Sequence, residues 1–237
     1  MTSISNSLAA ASVTIGFLHT LLGPDHYLPF VAMARAGNWS QTKTIVITVL
    51  CGIGHVLSSV VIGFVGIGLG VGLDRMEGIE SARSNLAGWA LIAFGLAYLI
   101  WGIRAAVRNQ PHSHLHAHSD GIVHIHEHDH EGLHLHAHES PVQPPSLTPW
   151  ILFTIFLFGP CEALIPMLMV PAAAGSMWDV VVVTLLFGVT TIATMTVIVL
   201  VLLRGAQVVR IQAMQRYNHA AAGAVLFMCG LAIRFGL

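Results

Sequence analysis

Charge is what this sequence has least of. Only 9% of its 237 residues are Asp, Glu, Lys or Arg, 55% are hydrophobic, and the mean hydropathy is +0.75. A soluble domain carries about a quarter charged residues, so water is excluded as the main solvent. The formal net charge of −1 leaves no basic surface, and nucleic acid is not an expected partner. Cysteine is also scarce. Cys51, Cys161 and Cys229 are odd in number and all lie in apolar stretches, which argues against a disulfide framework. The phosphate-cradling Gly-x-x-x-x-Gly-Lys pattern is missing, so the chain is not expected to hydrolyse ATP, and no enzymatic activity is expected of it. No Lys or Arg precedes the apolar run beginning at Leu8, so the basic region of a secretory signal is lacking and the N-terminus is expected to be retained.

What the chain has instead is long apolar runs. A helix needs about 20 residues to cross roughly 30 Å of hydrocarbon, and runs of that kind occupy Leu8–Arg35, Thr44–Gly72, Asn85–Ile103, Trp150–Ala174 and Val180–Leu203. A shorter sixth run, about Tyr217 to Leu237, carries Arg234 near its end, where an arginine can snorkel to the interface. Between the third and fourth runs, Asn109 to Thr148 is polar, rich in histidine, and bounded by Pro111 and by Pro141, Pro144, Pro145 and Pro149. That composition describes a solvated linker.

The two flanking halves read as copies. Gly23-Pro24-Asp25-His26 matches Gly159-Pro160-Cys161-Glu162, with Pro29 and Pro166 following. Gly52-Ile53-Gly54-His55 falls over Gly188-Val189-Thr190-Thr191, and Gly88, Gly95, Leu96 and Ala97 fall over Gly223, Gly230, Leu231 and Ala232. The expected fold is therefore an all-α membrane protein of six transmembrane helices, arranged as two inverted three-helix repeats with broken first helices. Its parts are a first repeat over 1–108, a histidine-rich cytoplasmic linker over 109–147 and a second repeat over 148–237. Arg35, Lys43, Arg104, Arg108, Arg204, Arg210 and Arg216 fall on one side, against Arg75, Arg83 and Arg234 on the other. The richer side is expected to be cytoplasmic, with both termini outside, in a bacterial inner membrane.

Candidate site residues follow from polar groups inside the runs. His19, Asp25 and His26 surround the Gly-Pro break, and His19 and His26, seven residues apart, share a helix face. A carboxylate in hydrocarbon costs several kcal/mol unless it is paired or wet, so Asp25 is a functional candidate. Cys161 and Glu162 stand at the matching break, and an inverted repeat would bring them towards Asp25 and His26 near the midplane. His55 is isolated in the second run, with Cys51 one turn before it. Each has a plainer reading: a histidine bonded to a carbonyl, or a thiol acting as a small hydrophobe. Taken together, imidazole with carboxylate suits a borderline divalent metal.

The linker repeats His-x-His. His112, His114, His116 and His118 are followed by His124, His126, His128 and His130, and then by His134, His136 and His138. Alternate positions of an extended chain share a side, so these clusters are expected to capture metal as an accessory.

The His19–His26 run, the Gly159-Pro160-Cys161-Glu162 run and the histidine-rich central loop together resemble the nickel/cobalt permease superfamily, in its six-span urease-accessory-like branch. Five residues separate His19 from Asp25 here, where the larger permeases have four. The resemblance implies transport of nickel or cobalt at a midplane site, with His19, Asp25, His26 and His55 handling the metal. No cofactor is implied beyond the transported ion; the implied partners are that ion, the lipid bilayer and a cytoplasmic metallochaperone. The alternatives are a zinc or iron transporter, or a membrane-anchored metal sensor or chaperone acting through the linker.

Overall fold

The computed structural model describes residues 2–108, 112–117, 123–128, 148–159, 161–208 and 216–236. Its elements in chain order are α1 (Thr2–Leu22), a single 3₁₀ turn (Pro24–His26), α2 (Leu28–Ala36), α3 (Gln41–Gly68), α4 (Leu73–Arg108), strands β1 (His112–Ala117) and β2 (Val123–His128), α5 (Thr148–Phe158), α6 (Leu164–Ala173), α7 (Met177–Val208) and α8 (Asn218–Phe235). The membrane part is all-helical, and the antiparallel β1–β2 pair is the only sheet among the described residues.

Four helices are long and apolar enough to cross a bilayer singly: α3, α4, α7 and α8. The expected first span is a helix pair bent by 84° at Gly23–Pro24, which raises the count to five if it is one span. The expected fourth span is also divided. At 11 and 10 residues, α5 and α6 are each only about half as long as a crossing requires. The expected six helices are met in part: four qualify singly as spans, five with the bent pair, and a broken helix opens each half as the proline breaks predict. The shorter sixth run forms a helix, α8, whereas the third helix begins at Leu73, well before the expected Asn85.

The breaks follow from proline chemistry. Pro24 has no N–H to continue α1, so the chain closes one 3₁₀ turn instead, with the His26 N–H donating to Gly23 O at 3.0 Å and the Tyr27 N–H to Pro24 O at 3.3 Å. Hydroxyls inside the helices satisfy themselves locally. Ser12, Thr20, Thr184 and Thr196 each donate to the carbonyl four residues back, as polar groups in hydrocarbon must. Lipid-facing positions are apolar: Val46, Leu50, Ile53, Leu57, Val61 and Val65 form an exposed stripe at helical spacing along α3.

The packing is reciprocal between halves. α1 lies against α7 while α3 lies against α5, and α4 runs along α8. The glycines that repeat in the sequence sit at the α4–α8 crossing. A Cβ on Gly95 would strike the backbone of Leu226 and Phe227, and one on Gly223 would strike Leu99. With lipid on the outside, such close backbone approach is what holds helices together. The repeated glycines thus encode a contact between the two helices.

Candidate histidine centre and the clamped break

Three of the expected site residues meet. His19 lies in the last turn of α1, His26 ends the 3₁₀ turn and His55 projects from the middle of α3. Their ring centroids are 4.7 Å (His19–His26) and 5.1 Å (His26–His55) apart, and one ligand atom from each lies within 4.8 Å of the others. His26 and His55 are buried and His19 half-buried. Nε2 of each ring is buried without a hydrogen-bond partner, an unusual condition that calls for a physical explanation. His26 is oriented from its other nitrogen, Nδ1, which lies 3.2 Å from Gly23 O and 3.3 Å from Asp25 Oδ1. A ring that donates from Nδ1 presents a lone pair at Nε2, the arrangement of a supported metal-ligating histidine.

The rest of the expected set does not join them. Asp25 stands beside His26 as its supporting carboxylate, 29% exposed and outside the three-histidine group. Glu162 is exposed. Cys161 is fully buried but packs with Val56, Leu164, Leu168, Val180 and Phe187. The expected four-residue convergence of Asp25, His26, Cys161 and Glu162 is replaced by His19, His26 and His55. Pro160, His118, His130, His134, His136 and His138 lie outside the described residues.

A second polar centre, missed in the sequence, braces the other break. Glu80 and Arg83 are side by side on α4, 1% and 12% exposed, and form an ion pair. Arg83 Nη2 donates to Ser58 Oγ at 2.7 Å and to the carbonyls of Leu157 (3.1 Å) and Gly159 (3.3 Å). Its Nη1 donates to Ser59 Oγ at 3.1 Å. The Cys161 N–H donates to Glu80 Oε2 at 3.2 Å and approaches Ser59 Oγ at 3.3 Å. The charged pair thereby satisfies the orphan carbonyls at the end of α5 and the orphan N–H before α6. Ser58 donates in turn to His55 O at 2.9 Å, linking the clamp to the helix that carries the histidine centre. The available signal was an i,i+3 Glu–Arg pair bordering an apolar run; placing the helix start at Asn85 left both residues in a loop.

The three cysteines are free and sit in three different packing clusters. Ser59, which touches the Cys161 N–H, is eight residues along α3 from Cys51, about 12 Å at 1.5 Å per residue. Both cysteines are free and packed in separate clusters, so Cys51 and Cys161 are not a bonded pair.

Comparison with known families decides the class. The family described as cytochrome c biogenesis protein transmembrane region matches residues 28–232. The chain belongs to that family. The match takes in α2 to α8, including His55, the Glu80–Arg83 clamp and Cys161, and starts after His19 and His26. It overturns the resemblance to nickel/cobalt permeases, and with it transport of nickel or cobalt, the zinc or iron transporter and the anchored metal sensor or chaperone. The misleading signal was the histidine content, which reports metal affinity without reporting ancestry. No curated protein and no solved structure matches the chain.

Proposed function

We propose that this chain performs a membrane step of cytochrome c biogenesis by thiol–disulfide exchange, with Cys161 as its single working thiol. Family membership supports the process. The observation that carries the residue is position: Cys161 alone among the cysteines stands at a helix break, just before α6, while Cys51 and Cys229 lie inside continuous helices.

The exchange balances with one cysteine. The Cys161 thiol gives up its proton and attacks one sulfur of an acceptor disulfide, and the other acceptor sulfur leaves as a thiolate and takes a proton. A donor dithiol protein then attacks the Cys161 sulfur, freeing the reduced acceptor, and its second thiol resolves the new mixed disulfide. Two electrons pass from donor to acceptor and Cys161 is regenerated. Because its side chain is fully buried, the break must open for each attack, and the Glu80–Arg83 clamp is the part that holds it closed.

We infer in addition that the halves form an inverted repeat, supported by the reciprocal α1–α7 and α3–α5 contacts. With Arg83 removed from the loop count, the Lys and Arg asymmetry still favours a cytoplasmic 109–147 linker and outward termini, as in a bacterial inner membrane.

The test is a proteoliposome holding the full chain, with reduced thioredoxin inside and oxidised glutathione outside. Reduction of external glutathione should disappear in Cys161→Ser and persist in Cys51→Ser and Cys229→Ser; persistence in Cys161→Ser overturns the proposal.

A second reading concerns the histidine centre alone. The three unpartnered Nε2 atoms support a resident transition-metal ion held by His19, His26 and His55, with Asp25 orienting His26.

A further inference from the structure

The β1–β2 register adds something the His-x-His spacing alone does not contain. The strands pair antiparallel with His112 opposite His128, His114 opposite His126 and His116 opposite His124. Directly opposed residues share a face of a two-stranded sheet, and so do residues two apart along a strand. All six histidine positions therefore occupy one face of the hairpin. The other face takes Ser113 opposite Glu127, Leu115 opposite Ile125 and Ala117 opposite Val123.

We propose that this hairpin is a metal-binding ladder whose unit is the cross-strand histidine pair, each pair taking one borderline divalent transition-metal ion through neutral imidazoles. Opposed positions in an antiparallel pair have Cβ atoms about 4.5–5.5 Å apart, which suits two imidazoles meeting one ion at Zn–N distances of about 2.0–2.1 Å. Successive pairs are two residues apart, about 6.8 Å along the strand, so neighbouring pairs are separate sites. An isolated two-stranded hairpin is marginally stable in water, and ions that bridge its strands would hold the register together. A one-residue slip of register would set every one of these histidines opposite a residue that is not histidine. This site is independent of the thiol chemistry at Cys161 and of the centre formed by His19, His26 and His55.

The register gives the proposal a signature that a disordered histidine tract lacks. Zinc alone is titrated into the purified full chain in detergent and the bound equivalents are counted. His114→Ala and His126→Ala should each release about one equivalent, and combining them should release no more, because both hold the same ion. Combining His114→Ala with His124→Ala should release about two, because those residues belong to different rungs. Zinc should also slow backbone amide exchange within 112–117 and 123–128. Losses that add in both combinations, or no loss when all six histidines are replaced, would overturn the ladder. The background of other sites cancels in these differences.

Discussion

Glu80 Oε2 accepts the backbone N–H of Cys161 at 3.2 Å, across more than eighty residues of sequence, joining helix α4 of the first half to the break between α5 and α6 in the second. This contact sets the start of α6, and with it the position of the one thiol at a helix break. Its strength depends on Arg83, which neutralises Glu80 and holds the carbonyls on the other side of the break.

The clamp makes a prediction about stability. Glu80→Gln leaves Arg83 buried without its counter-charge, and breaking a buried pair in this way costs about 3–5 kcal/mol. Thermal unfolding in detergent should show a large loss for Glu80→Gln and for Arg83→Gln. The double variant Glu80→Gln/Arg83→Gln should lose less than the sum of the two. Additive losses would mean that the two side chains act separately.

Close approach of α4 and α8 makes another. A Cβ at Gly95 or Gly223 has no room against the opposing backbone, and overpacking typically costs about 1–3 kcal/mol. Gly95→Ala and Gly223→Ala should each lower the unfolding temperature, whereas Gly205→Ala, with nothing near it, should raise or preserve it. Equal effects at all three positions would contradict the crossing described above.

The histidine centre is testable apart from the hairpin. In a chain whose hairpin histidines are replaced by alanine, zinc should still bind, and His26→Ala or His55→Ala should weaken it by more than the roughly 10–100-fold that loss of a mere supporting partner costs. Asp25→Asn should weaken it less, since Asp25 only braces His26. A ranking in which Asp25→Asn is the most damaging would make Asp25 the ligand and refute the three-nitrogen site.

Much of this architecture was legible beforehand. Proline at 24, lacking an N–H, predicts the break that the chain makes there, and the apolar runs predict the helices α3, α7 and α8. His19 and His26 do come together, but not by the helix face their spacing suggests, since α1 stops at Leu22 and His26 lies in the turn beyond it. Three things were not legible. Glu80 and Arg83 looked like loop charges because hydropathy windows reject charged residues, and only the fold reveals that they neutralise each other inside α4. Glu162 looked like a site residue because it neighbours Cys161, but it sits in the turn before α6, where it is exposed. The family was misread because chemistry-bearing residues were weighed over the helical framework, and the matched framework begins only after His26.

Cys161 is the centre of the account, and trapping it is the most direct test. A chain carrying Cys51→Ser and Cys229→Ser, reconstituted with the donor dithiol and challenged with oxidised glutathione, is quenched in acid and digested for mass spectrometry. A glutathione adduct is expected on the peptide containing Cys161, increased when Arg83→Gln loosens the break. An unmodified Cys161 in a chain that still transfers electrons would contradict it.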